Sequence, residues 1–234
     1  MGRKLRIDKD LTMSIPATIH QIWIPAGPTD RPSPFHVACS QRMMELHPKW
    51  RFCAWTDDSL VRALLPSTFT KLIQGAWERF AGDIKARSDL MRLCVLYAFG
   101  GIYVDWDVWA LKPFDDFLVA NDELILGVNS YDPLIVGEHV IGAAAGSEKI
   151  AKVIEHLCSQ EVGVDGHYSP HIAKFVHHLG WEAYPPEVFC PHLRDASEDE
   201  LYRTTENTFA IHCYSPRGYD LSRLRSLTEV SLVH

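Results

Sequence analysis

The longest apolar pattern of the chain covers residues 83–99, where apolar side chains occupy most of the circumference of a helical wheel. This pattern predicts a helix that is buried on most of its sides, and Gly100 is expected to end it. Residues 102–104, Ile-Tyr-Val, follow at once and are typical of a short buried strand. The pattern therefore predicts a helix that leads directly into a strand, with Asp105 as the first residue after that strand.

Shorter apolar segments with alternating or helical spacing flank this unit. They predict strands at residues 15–24, 50–55, 123–128, 140–145 and 209–212, and helices at residues 35–47, 59–65, 69–80, 147–158 and 172–179. Strands that alternate with helices predict an α/β domain with a mostly parallel sheet, covered by helices on both faces. Ligands of such sheets bind beyond the carboxyl ends of the strands, so we expect functional residues directly after residue 104.

The composition indicates one globular domain. The chain has 234 residues, of which 47% are hydrophobic and 23% charged, and this is enough for one domain with a substantial core. We expect residues 1–13 to be a flexible extension and residues 14–234 to form the domain. The formal charge of −7 offers no basic surface for nucleic-acid phosphates, so no nucleic-acid partner is expected.

Cysteine usage and hydropathy give an expectation about location. The six cysteines are scattered and none forms a Cys-x-x-Cys pair, which favours buried, reduced thiols. No apolar segment of about 18 residues occurs, so no transmembrane anchor is expected. The first residues also lack the apolar core of a secretory signal. The sequence therefore predicts a cytoplasmic protein.

Two carboxylates follow the buried strand at a spacing of two, in Asp105-Trp106-Asp107. Residues two apart in a strand point to one face, so both carboxylates are expected to project together from the strand end. Close carboxylates repel each other unless a cation or a shared proton intervenes. A hard divalent ion, Mg²⁺ or Mn²⁺, which takes further ligands from substrate phosphates, is the natural partner. The motif alone is also compatible with a solvated turn, because Asp-x-Asp is common.

Three stretches of the chain together resemble one protein family. They are residues 15–23 (Ile-Pro-Ala-Thr-Ile-His-Gln-Ile-Trp), 86–92 (Ala-Arg-Ser-Asp-Leu-Met-Arg) and 97–108 (Tyr-Ala-Phe-Gly-Gly-Ile-Tyr-Val-Asp-Trp-Asp-Val). They are similar to the glycosyltransferases whose sugar-binding region carries an Asp-x-Asp motif. That group includes yeast initiating mannosyltransferases, lactosylceramide galactosyltransferases, capsule enzymes and, more distantly, glucosylating clostridial toxins. The resemblance covers residues 15–114 and thins beyond them. It implies a Rossmann-like fold of the GT-A type, with residues 14–115 as the nucleotide-sugar half and 116–234 as the acceptor half.

The resemblance assigns roles to four polar residues. It implies that Asp89 contacts the ribose or the sugar of the donor, and that Arg92 reaches the sugar and phosphates. It also implies that Asp105 holds the ribose and a metal-bound water, and that Asp107 ligates Mn²⁺ or Mg²⁺ directly. Asp89 and Arg92 are three apart on the predicted helix and share a face, which is also compatible with a surface ion pair. Trp106 is expected to point away from the carboxylates and to pack against the long helix.

Further contacts are expected from other parts of the chain. Backbone groups after Ile22 would read the edge of a base, and Trp23 would either cover the base or pack in the core. His212 would complete the metal shell, touch the diphosphate or pack at a strand end. His139 lies where some relatives place an asparagine near the sugar. Asp57 is expected either to cap a helix or to contact the donor.

The resemblance implies a metal-dependent, retaining glycosyltransferase. It would move a sugar from a UDP- or GDP-sugar to the hydroxyl of a glycan or another acceptor, in the synthesis of surface glycans. Attack on the same face of the sugar is the preferred mechanism, because the sequence marks no second carboxylate as a nucleophile. An inactive, transferase-like module that binds a sugar or a partner is the alternative. An aspartate-nucleophile phosphatase is disfavoured, because Trp109 stands where those enzymes have a small Thr or Val.

Overall fold

A computed structural model of the chain describes residues 14–56, 67–80, 82–120, 123–129, 136–159, 179–193, 195–214 and 219–231. The strands in these ranges are β1 (Thr18–Ile22), β2 (Arg51–Trp55), β3 (Gly101–Val104), β4 (Val108–Ala110), β5 (Leu124–Val128), β6 (Val136–Ala143) and β7 (Ala210–His212). The helices are α1 (Pro34–Leu46), α2 (Ser67–Arg79), α3 (Ile84–Phe99), α4 (Asp115–Ala120), α5 (Glu148–Ser159), α6 (Pro186–Phe189) and α7 (Leu221–Ser231).

The central sheet has five strands in the order β2-β1-β3-β6-β5. Strand β1 pairs in parallel with β2 and β3, whereas β6 pairs antiparallel with both β3 and β5. Four of the strands therefore run in one direction and only β6 is reversed. Buried apolar side chains form two clusters. One contains side chains of α3 and α5, and the other contains Phe114 and Phe117. The predicted α/β architecture with a mostly parallel sheet is confirmed.

A second, two-stranded sheet consists of β4 and β7, which pair antiparallel. The sequence predicted β7 but not β4, which has three residues and is held by its distant partner. Val108 faces His212 in this pairing, and the Cys213 amide donates a hydrogen bond to the Asp107 carbonyl at 2.9 Å. The small sheet therefore carries the C-terminal His212 to the aspartate motif.

Both ends of helix α3 are capped, as was expected only for Gly100. The Asp83 carboxylate accepts a hydrogen bond from the Ala86 amide at 2.9 Å, and Gly100 ends the helix with a φ of 62°. Every residue from Leu90 to Leu96 is buried. This confirms the predicted helix and places its polar residue Arg92 inside the protein.

Strand β6 is longer than predicted. It begins at Val136 rather than at residue 140, and all eight of its residues are buried. The sequence did not predict this start, because Glu138 and His139 interrupt the apolar pattern. Both polar residues nevertheless lie within a central strand, next to β3.

Some predictions concern residues outside the described ranges. They are the extension at residues 1–13, the helix at 59–65, all but the last residue of the helix at 172–179, and Asp57. Within the ranges that are described, no helix is long and apolar enough to cross a membrane.

Replacing Gly101 by Ala is expected to destabilise the fold by roughly 2 kcal/mol or more. Gly101 has a φ of +106°, and a Cβ there would lie 2.6 Å from the Thr18 carbonyl oxygen, where β1 passes β3. Chemical denaturation of the purified variant measures the loss. The control is Gly27→Ala, because a Cβ at Gly27 meets nothing within 4 Å. Equal unfolding midpoints for the two variants would contradict this account of the β1–β3 approach.

Candidate functional site

The two aspartates lie in the turn that joins β3 to β4. The Val108 amide donates to the Asp105 carbonyl at 3.2 Å, and the Asp105 amide donates to the His139 carbonyl at 2.9 Å. The prediction that the aspartates project from an extended strand is therefore wrong, because the chain folds back at once into β4. The carboxylates still converge: His212 Nε2 is 3.4 Å from Asp107 Oδ1 and 3.9 Å from Asp105 Oδ2.

Asp105, Asp107 and His212 form a group that could hold a metal ion. One ligand atom from each lies within 4.8 Å of the others. Two carboxylate oxygens and one imidazole nitrogen are a donor set that suits a divalent cation. Burial opposes a charge on His212, but the Asp107 carboxylate raises the pKa of this imidazole to about 10. The structure thus brings together the three residues predicted as metal ligands, at a point that favours positive charge.

Behind Asp105, the guanidinium of Arg92 is buried among three carboxylates. It donates to Asp89 Oδ1 at 2.6 Å and to the Glu138 carbonyl at 2.7 Å. Its Nη1 also lies 3.7 Å from Glu138 Oε2 and 3.8 Å from Asp105 Oδ1. Arg92 is 6% exposed and Asp89 1%. The alternative of a surface ion pair is therefore wrong, whereas contact of either residue with a donor stays a prediction.

One arginine facing three carboxylates leaves this group with an excess of negative charge. Burial, together with the nearby charge of Asp89, raises the pKa of the Glu138 carboxyl to about 8. Burial also raises the pKa of Asp89, although Arg92 opposes this. For Arg92, burial disfavours the charge, but Tyr103 and the carboxylates raise the pKa of the guanidinium. A charged arginine and a largely protonated Glu138 at neutral pH are the consequence.

Tyr103 fixes the orientation of Asp105. Its hydroxyl donates to Asp105 Oδ1 at 2.5 Å, and its ring centroid is 4.7 Å from the guanidinium carbon of Arg92. One oxygen of Asp105 is thus bound within the protein while the other faces His212. Sequence reasoning missed both Tyr103 and Glu138. The available signals were the position of Tyr103 two residues before Asp105, and the single acid of Glu138 in an apolar run.

Trp23, which was predicted either to cover a base or to pack in the core, lies in an aromatic group next to the motif. Trp23 packs edge-on against Trp106 with ring centroids 6.2 Å apart, and it contacts His36 at 5.3 Å. Trp106 thus has a ring partner in Trp23, where contact with the long helix was expected. The Trp23 amide donates to the Trp55 carbonyl at 2.9 Å, so this backbone donor is already used in the sheet. The side chain of Ile22 is buried in the core.

His139 stacks on His212. The ring centroids are 4.5 Å apart and the rings are inclined by only 10°. Burial, reinforced by His212, lowers the pKa of His139 well below its usual value, so His139 is neutral. The structure places His139 against a predicted metal ligand, and its contact with a sugar stays a prediction.

Replacing Glu138 by Gln is expected to flatten the pH dependence of stability. Above its ordinary pKa of 4.5 and below about 8, Glu138 holds a proton in the folded state but not in the unfolded state. The free energy of unfolding therefore falls as the pH rises through this window. Because Gln does not titrate, the free energy of unfolding of the variant should decrease less over this pH range. Chemical denaturation of both proteins between about pH 5 and pH 8 measures the difference.

The matched control is Glu155→Gln on the exposed face of α5, which should keep the wild-type pH profile. A wild-type slope in Glu138→Gln would show that Glu138 does not hold the extra proton.

Residues 34–125 match the model of a family described as "Glycosyltransferase sugar-binding region containing DXD motif". Inositol phosphoceramide mannosyltransferase 3 of Schizosaccharomyces pombe is 27% identical over 144 residues, covering 62% of this chain and 37% of the relative. Inositol phosphoceramide mannosyltransferase 2 of the same organism is 23% identical over 209 residues, covering 85% and 56%. The chain thus spans between 37% and 56% of the length of these two relatives.

Among solved structures, "PaToxG Glycosyltransferase" matches with a TM-score of 0.53 at 21% identity, over 71% of this chain and 70% of that one. This likeness concerns the fold and confirms the α/β architecture of the GT-A type. The Asp105-Trp106-Asp107 motif lies inside the region that the family model covers. Residues 34–125, which include this motif, are therefore similar to the sugar-binding region of glycosyltransferases that contains a DXD motif.

Proposed function

We propose that this chain is a metal-dependent glycosyltransferase that moves a hexose from a nucleotide-diphosphate sugar to an acceptor hydroxyl. The convergence of Asp105, Asp107 and His212 supports this proposal most directly. The three residues lie just beyond the carboxyl end of β3, where α/β sheets bind ligands. Mn²⁺ or Mg²⁺ held there would neutralise the diphosphate and the charge that develops on the leaving nucleotide.

In this proposal, buried groups hold the binding residues in one orientation. Tyr103 and Arg92 bind one oxygen of Asp105 from inside the protein, which directs the other oxygen towards His212. Asp89 Oδ2 is buried and has no hydrogen-bond partner among the described residues. A carboxylate oxygen is an acceptor only, so a hydroxyl of the donor sugar is a suitable partner for it.

We assign the donor base to the aromatic group of Trp23, Trp106 and His36. Nucleobases stack on aromatic side chains with a gain of roughly 1–3 kcal/mol per base. Trp106 lies between the two aspartates in sequence, so a base stacked on this group would place its diphosphate near their carboxylates. This arrangement supports a UDP- or GDP-sugar as the donor.

The names of the relatives support a hexose as the transferred sugar. Those reported above are mannosyltransferases of inositol phosphoceramide, and another relative, from Rattus norvegicus, is named lactosylceramide 4-alpha-galactosyltransferase. For this chain we propose transfer to a hydroxyl of a surface glycan or glycolipid.

Retention by attack on the same face is the proposed mechanism. In this reaction the acceptor oxygen bonds to the anomeric carbon as the diphosphate leaves, and a phosphate oxygen takes the proton of the acceptor. The nearby carboxylates support it, because Asp89 and Glu138 are buried against Arg92 while Asp105 and Asp107 face His212. None of these four carboxylates is therefore placed as a free nucleophile.

Asp107→Asn is expected to remove metal-dependent donor binding. The substitution keeps the shape of the side chain but takes away a charged ligand. Loss of a residue that merely hydrogen-bonds to a ligand costs roughly 10- to 100-fold in metal affinity, so we expect a fall of about 100-fold or more for Mn²⁺. Calorimetry with Mn²⁺, and with UDP- and GDP-sugars in its presence, measures both effects.

The control is Asp116→Asn, which removes an equal charge from an exposed position at the start of α4. It should leave both affinities at the wild-type value. Unchanged Mn²⁺ affinity in Asp107→Asn would count decisively against the assignment of the site.

A second measurement separates an active transferase from an inactive sugar-binding module. An active transferase is expected to release nucleotide diphosphate slowly from its donor when water replaces the acceptor. A panel of UDP- and GDP-hexoses with Mn²⁺ should show this hydrolysis for one donor, and Asp107→Asn should abolish it. Tight donor binding without any hydrolysis would favour the inactive module.

A further inference from the structure

A second set of metal-ligating atoms shares His212 with the aspartates. His139 on β6, Cys190 directly after α6 and His212 on β7 each place a ligand atom within 4.8 Å of the other two. We propose that these three residues form a site for a thiophilic divalent cation of the Zn²⁺ class. The site is an alternative to the aspartate site, because both need His212.

Two ring nitrogens in this set are buried without hydrogen bonds. His139 Nε2 and His212 Nδ1 have no partner among the described residues. His139 is only 2% exposed. A buried polar atom without a partner costs roughly 1–3 kcal/mol, which a bound cation would offset.

Cys190 supplies the ligand that distinguishes this set from the aspartate site. Its Sγ lies 2.9 Å from the Tyr214 hydroxyl. When a metal binds, the thiol proton passes to solvent and the Tyr214 hydroxyl can donate to the remaining thiolate. Tyr214 has a φ of +46°, a conformation that is uncommon for an aromatic residue. The fold therefore keeps this hydroxyl at the sulfur in spite of a local backbone cost.

The choice of cation follows from the donor atoms. Two imidazoles and one thiolate are ligands of Zn²⁺ and Co²⁺, whereas Mg²⁺ and Mn²⁺ favour oxygen. Three protein ligands leave one position of a tetrahedral ion for water or another small ligand.

Binding at this site requires one ring to move. The two imidazoles are nearly parallel, but a metal lies in the plane of each ring that ligates it. A rotation of His212 towards Cys190 meets this requirement and takes its Nε2 away from Asp107 Oδ1, now 3.4 Å distant. Occupancy of the thiolate site therefore withdraws His212 from the aspartates, and the two sites compete.

Cobalt tests the site directly, because a thiolate ligand gives Co²⁺ an intense charge-transfer absorption in the near ultraviolet. Titration of the full chain with Co²⁺ under reducing conditions should produce this band with one ion per chain. Cys190→Ser should lose the band, whereas Cys158→Ser, which removes another buried cysteine, should keep it. A wild-type protein without the band, or a band that survives in Cys190→Ser, would overturn the site.

X-ray absorption at the zinc edge gives the same answer without a variant. The wild-type protein with one equivalent of Zn²⁺ should show a sulfur neighbour, and a shell of nitrogen and oxygen alone would overturn the proposal.

Competition between the two sites is measured by calorimetry. Saturation with Zn²⁺ should lower the Mn²⁺ affinity at least about tenfold. Unchanged Mn²⁺ affinity would overturn the sharing of His212.

The thiolate site does not depend on the proposed transferase activity, and Asp107→Asn separates the two. This variant should lose Mn²⁺ binding and keep the cobalt–thiolate band. If Asp107→Asn still binds Mn²⁺, the aspartate site is wrong. If it loses the cobalt–thiolate band, the claim that the thiolate site forms without Asp107 is wrong.

Discussion

The geometry of the site depends on the interactions of the buried Arg92 guanidinium. It joins Asp89 on α3, Glu138 on β6 and Asp105 after β3. A charge in the core is tolerated only when it is paired and hydrogen-bonded, and loss of one partner leaves the others uncompensated. The long helix and the two central strands are therefore held in one relative position. That position, together with Tyr103, fixes where the free oxygen of Asp105 points.

Local sequence signals were sufficient to predict those helices and strands whose stabilising residues lie close together along the chain. Helix α3 is an example, because Asp83 caps its start and Gly100 ends it. Strand β4 could not be predicted in this way. It has three residues and exists through its pairing with β7, which comes much later in the sequence. The start of β6 could not be predicted either, because it contains the acidic residue Glu138. The arginine that makes the burial of Glu138 tolerable belongs to another element.

The identity of the candidate metal ligands could be predicted from the motif, but their arrangement could not. The aspartates were expected on one face of an extended strand, whereas they converge through a turn closed by Val108. Both geometries bring two carboxylates together, so the cation site stays a prediction although its structural reason was wrong. Cys190 carries no sequence signal that links it to the motif. Its sulfur comes within 4.8 Å of a ring nitrogen of His212 only in the folded chain.

The region that matches the family model cannot build this site alone. Residues 34–125 contain Arg92, Tyr103 and both aspartates, but Trp23 precedes this region and His212 follows it. The later elements β6 and β7 supply the third candidate ligand, a buried carboxyl group beside Arg92 and the ring that stacks on His212. A substitution in these elements would change the charge and the ligand set of the site while the motif stayed intact. The chemistry of the site is therefore determined jointly by the motif, which supplies the carboxylates, and by the later strands, which decide what those carboxylates face.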